Sequence, residues 1–342
     1  MFDLNAILRK FYGDKVAIPK SVRDELRDAR AANETRLENG LAKARKPKVK
    51  RHVRQGGYAM KTVVQQHDNA YDIDNGALFT YDSLLGPNNG PMSALDARKI
   101  VCDALQDDKF KTKPEVRTNC VRVYYNDGYW VDVPVYRERV DPNTKANYLE
   151  LASADWKRSD PEGVTAWFQD MEKRLSRDFD KGGDPQLRRI VAYIKALAAS
   201  RKTWNWPNGF MISVLAESCF TSDDRDDVSL CKTLKAMYSV LVQNAPIMHP
   251  KIKGERLDVN GSPDIRCVEM RDKLAELLKD LQILDDPKCD AEQAASAWDK
   301  VYGTDYFRNK LGERGSGAKA ALSFASSSSP SRFERGDGGR YG

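Results

Sequence analysis

Three aspartates and a pair of glycines are the residues here whose types and spacing suit a definite chemistry. Asp72-Ile73-Asp74 places two carboxylates two residues apart. In a strand such residues share a face, so both acids project together while Ile73 turns to the core. Side by side at neutral pH they repel, and they must share a proton or bind a cation. Hard oxygen ligands suit Mg²⁺. A third acid, Asp132, lies within Tyr129-Trp-Val-Asp-Val-Pro-Val-Tyr136, where Val131, Val133 and Val135 alternate. Those valines need one buried face, so Asp132 points the other way. If the two strands are neighbours, Asp132 completes a three-carboxylate site. Such a site can hold two Mg²⁺ ions and suits in-line phosphoryl transfer. Each feature alone has a plainer origin. Asp74-Asn75-Gly76 reads equally as a turn, and Asp132 as a charge that blunts an edge strand.

The glycines precede the acids, in Gln55-Gly56-Gly57-Tyr58. Gly-Gly ahead of a helix lets backbone N–H groups approach a phosphate, and the helix N-terminus favours negative charge. Lys61, one turn on, adds a point charge. A lone Gly-Gly is more often only a turn. The specificity lies in the order: glycines, paired acids, third acid on a hairpin.

The elements around these residues follow from periodicity. Val121, Val123 and Tyr125 alternate with Arg122 and Tyr124 ahead of Asn126-Asp127-Gly128, which predicts a hairpin into the Asp132 strand. Residues 93–105 read as a helix. Residues 1–54 read as a polar helical segment, with Ser21 and Asp24 as a capping box. Asp160-Pro161-Glu162 opens a helix whose apolar stripe runs from Val164 through Leu175 to Phe179, and Gly182-Gly183 stops it. Asp184-Pro185 repeats the start signal. Further helices are expected over 210–220, 228–242, 268–284 and 291–302. Gly and Ser crowd residues 311–342, which read as a flexible tail. The chain thus divides into 1–54, an α/β unit 55–150, a helical unit 151–310 and the tail.

Composition excludes several classes. The chain has 342 residues, 41% hydrophobic and 31% charged, enough for a sizeable core. No apolar run approaches the length of a membrane span, and no signal peptide is visible. A net charge of +6 is far from a histone-like excess. Lys43, Arg45, Lys46, Lys48, Lys50, Arg51 and Arg54 do form a block without an intervening acid, read as a solvated segment or a footprint for phosphate. The six cysteines form no CxxC pair, and His52, His67 and His249 are scattered. Zinc ligation and Ser-His or Cys-His catalysis are therefore poor readings, and reduced thiols are expected.

Taken together, Gln55-Gly-Gly-Tyr58, Lys61-Thr62, Tyr71-Asp-Ile-Asp-Asn-Gly76 and Val131-Asp-Val-Pro134 resemble the DNA polymerase beta nucleotidyltransferase superfamily. More narrowly they resemble the bacterial cGAS/DncV-like nucleotidyltransferases (CD-NTases) of CBASS anti-phage defence. Leu187–Lys195 and Asn208–Ser213 resemble segments of that family's helical half, so the likeness covers residues 20–310. It implies an α+β fold: a two-lobed polymerase-beta-like core with a mixed sheet, plus a helical lobe, joined by an N-terminal spine helix. Asp72 and Asp74 would ligate both Mg²⁺ ions, with Mn²⁺ as a substitute. Asp132 would ligate the ion that activates the acceptor hydroxyl. Gln55, Gly56, Gly57 and Tyr58 would cradle the donor triphosphate, Lys195 would reach it, and Ser213 would make a polar contact nearby. The family usually has Ser where this chain has Gly57, so only a backbone amide is offered there.

The activity implied is synthesis of a cGAMP-type cyclic dinucleotide from ATP and GTP. The enzyme would be a cytoplasmic monomer whose product acts on a downstream effector. The tail resembles those of relatives whose terminal glycine is conjugated, which makes Gly342 a candidate linkage to a partner. Two other readings stand beside this one: a template-free linear polymerase, and a nucleotide-binding module without turnover.

Overall fold

A computed structural model describes residues 1–313 apart from 67–69, 87, 89, 126 and 127. Residues 314–342 of the tail with Gly342, His67 and most of the Asn126-Asp127-Gly128 turn therefore lie outside the described residues, while 311–313 are helical and not part of a flexible segment. The fold is α+β, with a curled mixed sheet beside a helical half.

The sheet is built on β2 (Asp72–Thr80). One edge of β2 pairs antiparallel with β1 (Arg51–Arg54). Its other edge pairs parallel with β5 (Trp130–Val133) and then with β6 (Val135–Val140). Asp72 stands opposite Trp130 and Ala77 opposite Val135, so both pairings keep one register across Pro134. The expected single strand over 129–136 is thus two strands, broken where proline has no N–H to offer. Its carbonyl still accepts from the Ala77 N–H at 2.8 Å. The sheet changes partners at this point. On one side β4 (Val121–Tyr124) pairs antiparallel with β5, and β3 (Glu115–Val116) with β4. On the other side β7 (Asn147–Ala152) and β8 (Trp156–Ser159) extend from β6.

One face of this sheet is apolar. Ile73, Ala77, Phe79, Val131, Val133 and Val135 pack in a single core with α2 (Lys20–Lys43) and α4 (Ala94–Ala104). Alternation therefore sends Asp72, Asp74 and Asp132 to the opposite face. Ser93 caps α4 by accepting from the Asp96 N–H at 3.0 Å.

The helical half packs α5 (Pro161–Leu175), α6 (Gln186–Ala199), α7 (Gly209–Ser218), α8 (Asp226–Val242), α9 (Ile265–Leu281) and α10 (Ala291–Tyr302). Its core includes Leu187, Ile190, Val191, Ile194 and Leu197 of α6. It also takes in Leu4, Ile7, Leu8 and Phe11 from the first helix, α1 (Asn5–Phe11), and the residue before it.

Several expectations are corrected. Residues 1–54 are not uniformly helical: β1 ends them, because the free edge of β2 needs a partner and Val53 can be buried there. Strands β7 and β8 fall partly within 151–310. No capping box forms at Ser21, since α2 starts a residue earlier with Pro19 as its N-cap. Helix α5 ends at Leu175, not Phe179, because the Ser176 backbone turns extended and its hydroxyl accepts from the Leu187 N–H. Asp184 does not cap α6; its carboxylate accepts from Arg188 and from the Tyr12 hydroxyl.

Candidate active site

The three aspartates meet at the mouth of a cleft of about 1040 Å³ lined by residues of both halves. Parallel pairing puts Asp74 directly opposite Asp132, and Asp72 is two residues along the same face of β2. One carboxylate oxygen from each acid lies within 4.8 Å of the others. Asp132 is buried, Asp74 is half-buried and Asp72 is exposed.

The electrostatics of the three differ. Burial lifts the Asp74 carboxyl well above the usual carboxylate range, and repulsion from Asp72 and Asp132 lifts it further. Partial loss of water in the cleft raises Asp72 too, with repulsion from Asp132 the next cause. Asp132 has a cation of its own. Arg122 stands opposite it across the β4–β5 ladder and donates from Nε and Nη2 to its two oxygens, each at 2.7 Å. The guanidinium also lies 4.5 Å from the Trp130 ring. Among the described residues no cation pairs with Asp72 or Asp74 as Arg122 does with Asp132, so the pair is left to share a proton or take up a cation. Hard oxygen donors at this spacing fit Mg²⁺ or Mn²⁺.

The glycine segment sits above the acids as α3 (Gly56–Ala59). Gln55, extended, is its N-cap residue, and its side chain accepts from the Tyr136 hydroxyl at 2.8 Å. Gly56 has φ +68°, and a Cβ there would come 1.9 Å from Asp74 Oδ2. Only glycine meets both demands. Gly57 is different: its φ is ordinary, and the nearest atom to a Cβ would be Val63 Cγ2 at 3.4 Å. The first N–H groups of a helix have no partner within it and are free for a ligand.

Lys195 enters from α6 and lines the cleft. Its ammonium donates to Thr62 Oγ1 at 2.7 Å, and burial pulls its pKa down to about 7. The remaining expected residues do not converge. Tyr58 turns back on α2, its hydroxyl donating to the Arg23 carbonyl at 3.2 Å. Lys61 is exposed in a left-handed turn (φ 56°) and is not among the residues lining the cleft. Ser213 is fully buried and donates within α7 to the Gly209 carbonyl at 2.7 Å.

Sequence reasoning missed Arg122 and His249, which line the cleft, and the bond that ties Thr62 to Lys195. Arg122 was findable, since it alternates with Val121 and Val123 in a hairpin whose register sets it against Asp132. His249 and the Thr62 bond carried no local signal. Among the described residues no helix is long and apolar enough to cross a membrane, and the six cysteines are free thiols.

Comparison with known proteins agrees with this geometry. Residues 50–136 match the family model described as cyclic GMP-AMP synthase DncV-like, nucleotidyltransferase domain. Among solved structures, the Vibrio cholerae DncV cyclic AMP-GMP synthase superposes with TM-score 0.68 at 14% identity, covering 88% of this chain and 96% of that one. The Bradyrhizobium diazoefficiens CD-NTase CdnG, solved in complex with GTP, gives TM-score 0.69 at 15% identity, with coverages of 91% and 98%. CdnC of E. coli MS115-1, solved with ATP, gives 0.63 at 15%, with 88% and 98%. At such identities the structural likeness speaks for the fold.

Proposed function

From the premise that residues 50–136 are a DncV-like nucleotidyltransferase domain, we propose that the chain is a cyclic dinucleotide synthase. It would join ATP and GTP into a cGAMP-type messenger through two successive phosphodiester bonds, releasing pyrophosphate each time. The observation that carries this reading is the convergence of Asp72, Asp74 and Asp132 on one cleft beside the glycine turn.

Each residue would have a distinct task. Asp72, Asp74 and Asp132 would hold two Mg²⁺ ions, which supply charge neutralisation and hydroxyl activation when bound. Asp132 would release at least one oxygen from Arg122 to take part. Gln55 and the α3 amides would hold the donor triphosphate, with Gly57 contributing its backbone alone. Lys195 would add a positive charge from the opposite wall. Thr62 holds Lys195 at that wall. The cleft would keep bulk water from the reacting phosphate. Tyr58 would brace the glycine turn against α2 through its bond to the Arg23 carbonyl.

The product would signal in CBASS anti-phage defence, from a cytoplasmic monomer, through an effector that binds it. Gly342 remains a candidate for conjugation. Gly342→Glu should then abolish any covalent adduct of the chain in cells that carry the neighbouring genes, and an unchanged adduct rules the linkage out.

A product assay tests the activity. Purified protein is incubated with four labelled NTPs and Mg²⁺ or Mn²⁺, beside an Asp72→Asn/Asp74→Asn control. Phosphatase-resistant small products absent from the control support the cyclase. A ladder of lengths favours the linear polymerase. Triphosphate binding without any product favours the silent module.

A further inference from the structure

Part of the cleft lining is aromatic, and the polar groups beside these rings have fixed hydrogen-bonding roles. Trp204 stacks on the buried Trp206, ring centroids 4.8 Å apart and 19° from parallel. Phe210 meets the edge of His249 at 5.4 Å. All four line the cleft. Flat apolar rings of this kind suit a nucleobase face.

Two side chains on this wall have had their acceptor atoms taken by the backbone. Asn208 is the N-cap of α7, and its Oδ1 accepts from the Met211 N–H at 2.9 Å. That bond fixes the amide orientation and leaves the Nδ2 hydrogens for the cleft. The His249 Nδ1 accepts from the Lys251 N–H at 3.1 Å and the Ile252 N–H at 3.0 Å. Nδ1 is thus unprotonated, so the neutral ring carries its proton on Nε2. Both groups are donors toward a ligand. Asp160 lines the same cleft. Its Oδ1 accepts from the Gly163 N–H at 2.9 Å, and a carboxylate offers only acceptors.

We propose that this wall reads the keto edge of a nucleobase, with Asn208 and His249 donating to it and Asp160 accepting the adjacent ring N–H. Guanine, hypoxanthine and uracil present a carbonyl next to an N–H. Adenine and cytosine present an amino group that would face the fixed donors. A site built to pair hydrogen bonds rejects the mismatched base strongly, because its own buried groups go unpaired. The inference rests on the nucleotidyl-transfer reading and adds to it the residues that choose one base.

The test uses the whole chain, Mg²⁺ and the α,β-methylene analogues of ATP, GTP, CTP, UTP and ITP, with binding followed by calorimetry. GTP, ITP and UTP analogues should bind roughly tenfold tighter than those of ATP and CTP. ITP should match GTP, because it lacks only the 2-amino group. Asn208→Asp keeps a good helix cap but turns the donor into an acceptor. It should narrow or reverse the preference with an unchanged melting temperature. His249→Ala should narrow it as well. If both variants leave the ranking of bases unchanged, or if all five bind alike, the inference is wrong while nucleotide binding stands. If no triphosphate binds, the inference and the reading beneath it fail together.

Discussion

The two walls of the cleft are made on different principles. The sheet wall brings three like charges together on neighbouring strands whose register leaves them no freedom. The helical wall brings single groups from α6, the α6–α7 connection and the loop after α8, each held by one or two hydrogen bonds. Strand pairing places Asp74 and Asp132 opposite each other over only a few residues of backbone. Lys195 depends on the packing of a whole helix and on one bond to Thr62. A sheet can force repulsive groups together because its ladder and core offset the repulsion. A helical surface positions attractive groups more loosely. The sheet wall should therefore fail abruptly when altered, and the helical wall by degrees.

The largest effect is expected on the sheet wall. Asp74→Asn would remove a proposed ligand of both ions and should cut turnover by about a thousandfold. Steady-state pyrophosphate release measures it, and a loss below about tenfold would show that the acids are not the reaction centre. Gly56→Ala comes next. Its Cβ would collide with Asp74 Oδ2 from a backbone already at φ +68°, so the carboxylate must move by about an ångström. A displacement of that size costs roughly a hundredfold. Turnover should fall while circular dichroism stays native.

The helical wall should respond more gently. Lys195→Met should lower turnover by roughly tenfold to a hundredfold. Its folded pKa of about 7 lies below the ordinary 10.5, so burial disfavours the charged form. That cost to stability is fully present below pH 7 and fades as pH rises toward the unfolded value. Lys195→Met removes it, so the melting temperature at pH 7 should hold or rise even as activity falls. A bound triphosphate reverses the preference, and binding at pH 8 should take up a proton that binding at pH 6 does not. Calorimetry in two buffers of different ionisation enthalpy reads that uptake.

The smallest effect separates the two glycines. Gly57→Ser places its Cβ in ordinary contact with Val63. The variant should fold normally and turn over at least as fast, because it adds a hydroxyl donor beside the proposed phosphate site. If Gly57→Ser were as damaging as Gly56→Ala, the described geometry of the turn would be wrong.

The same contrast decides what could be read from the chain itself. Asp72 and Asp74 were legible because a period of two settles which face a strand residue takes. Val131, Val133 and Val135 made Asp132 legible for the same reason, and all three valines do share one core. No such local signal exists for partners distant in sequence. Lys195 and Thr62 are 133 residues apart, and nothing near either announces the other. His249 lies in an irregular loop, where no periodicity applies. Edge strand β1 was hidden by its charges, which suit a solvated helix end and an edge strand equally. Ser21 and Asp184 failed as caps because tertiary bonds and the neighbouring prolines set where those helices begin.

The central claim is that Asp72, Asp74 and Asp132 form one catalytic centre for nucleotidyl transfer. Its most direct test is pyrophosphate release from purified protein with ATP and GTP, at rising Mg²⁺, for the native chain and for Asp132→Asn. The account predicts metal-dependent release from the native chain and its near-complete loss in the variant, with triphosphate binding retained. Equal release from both proteins would contradict it.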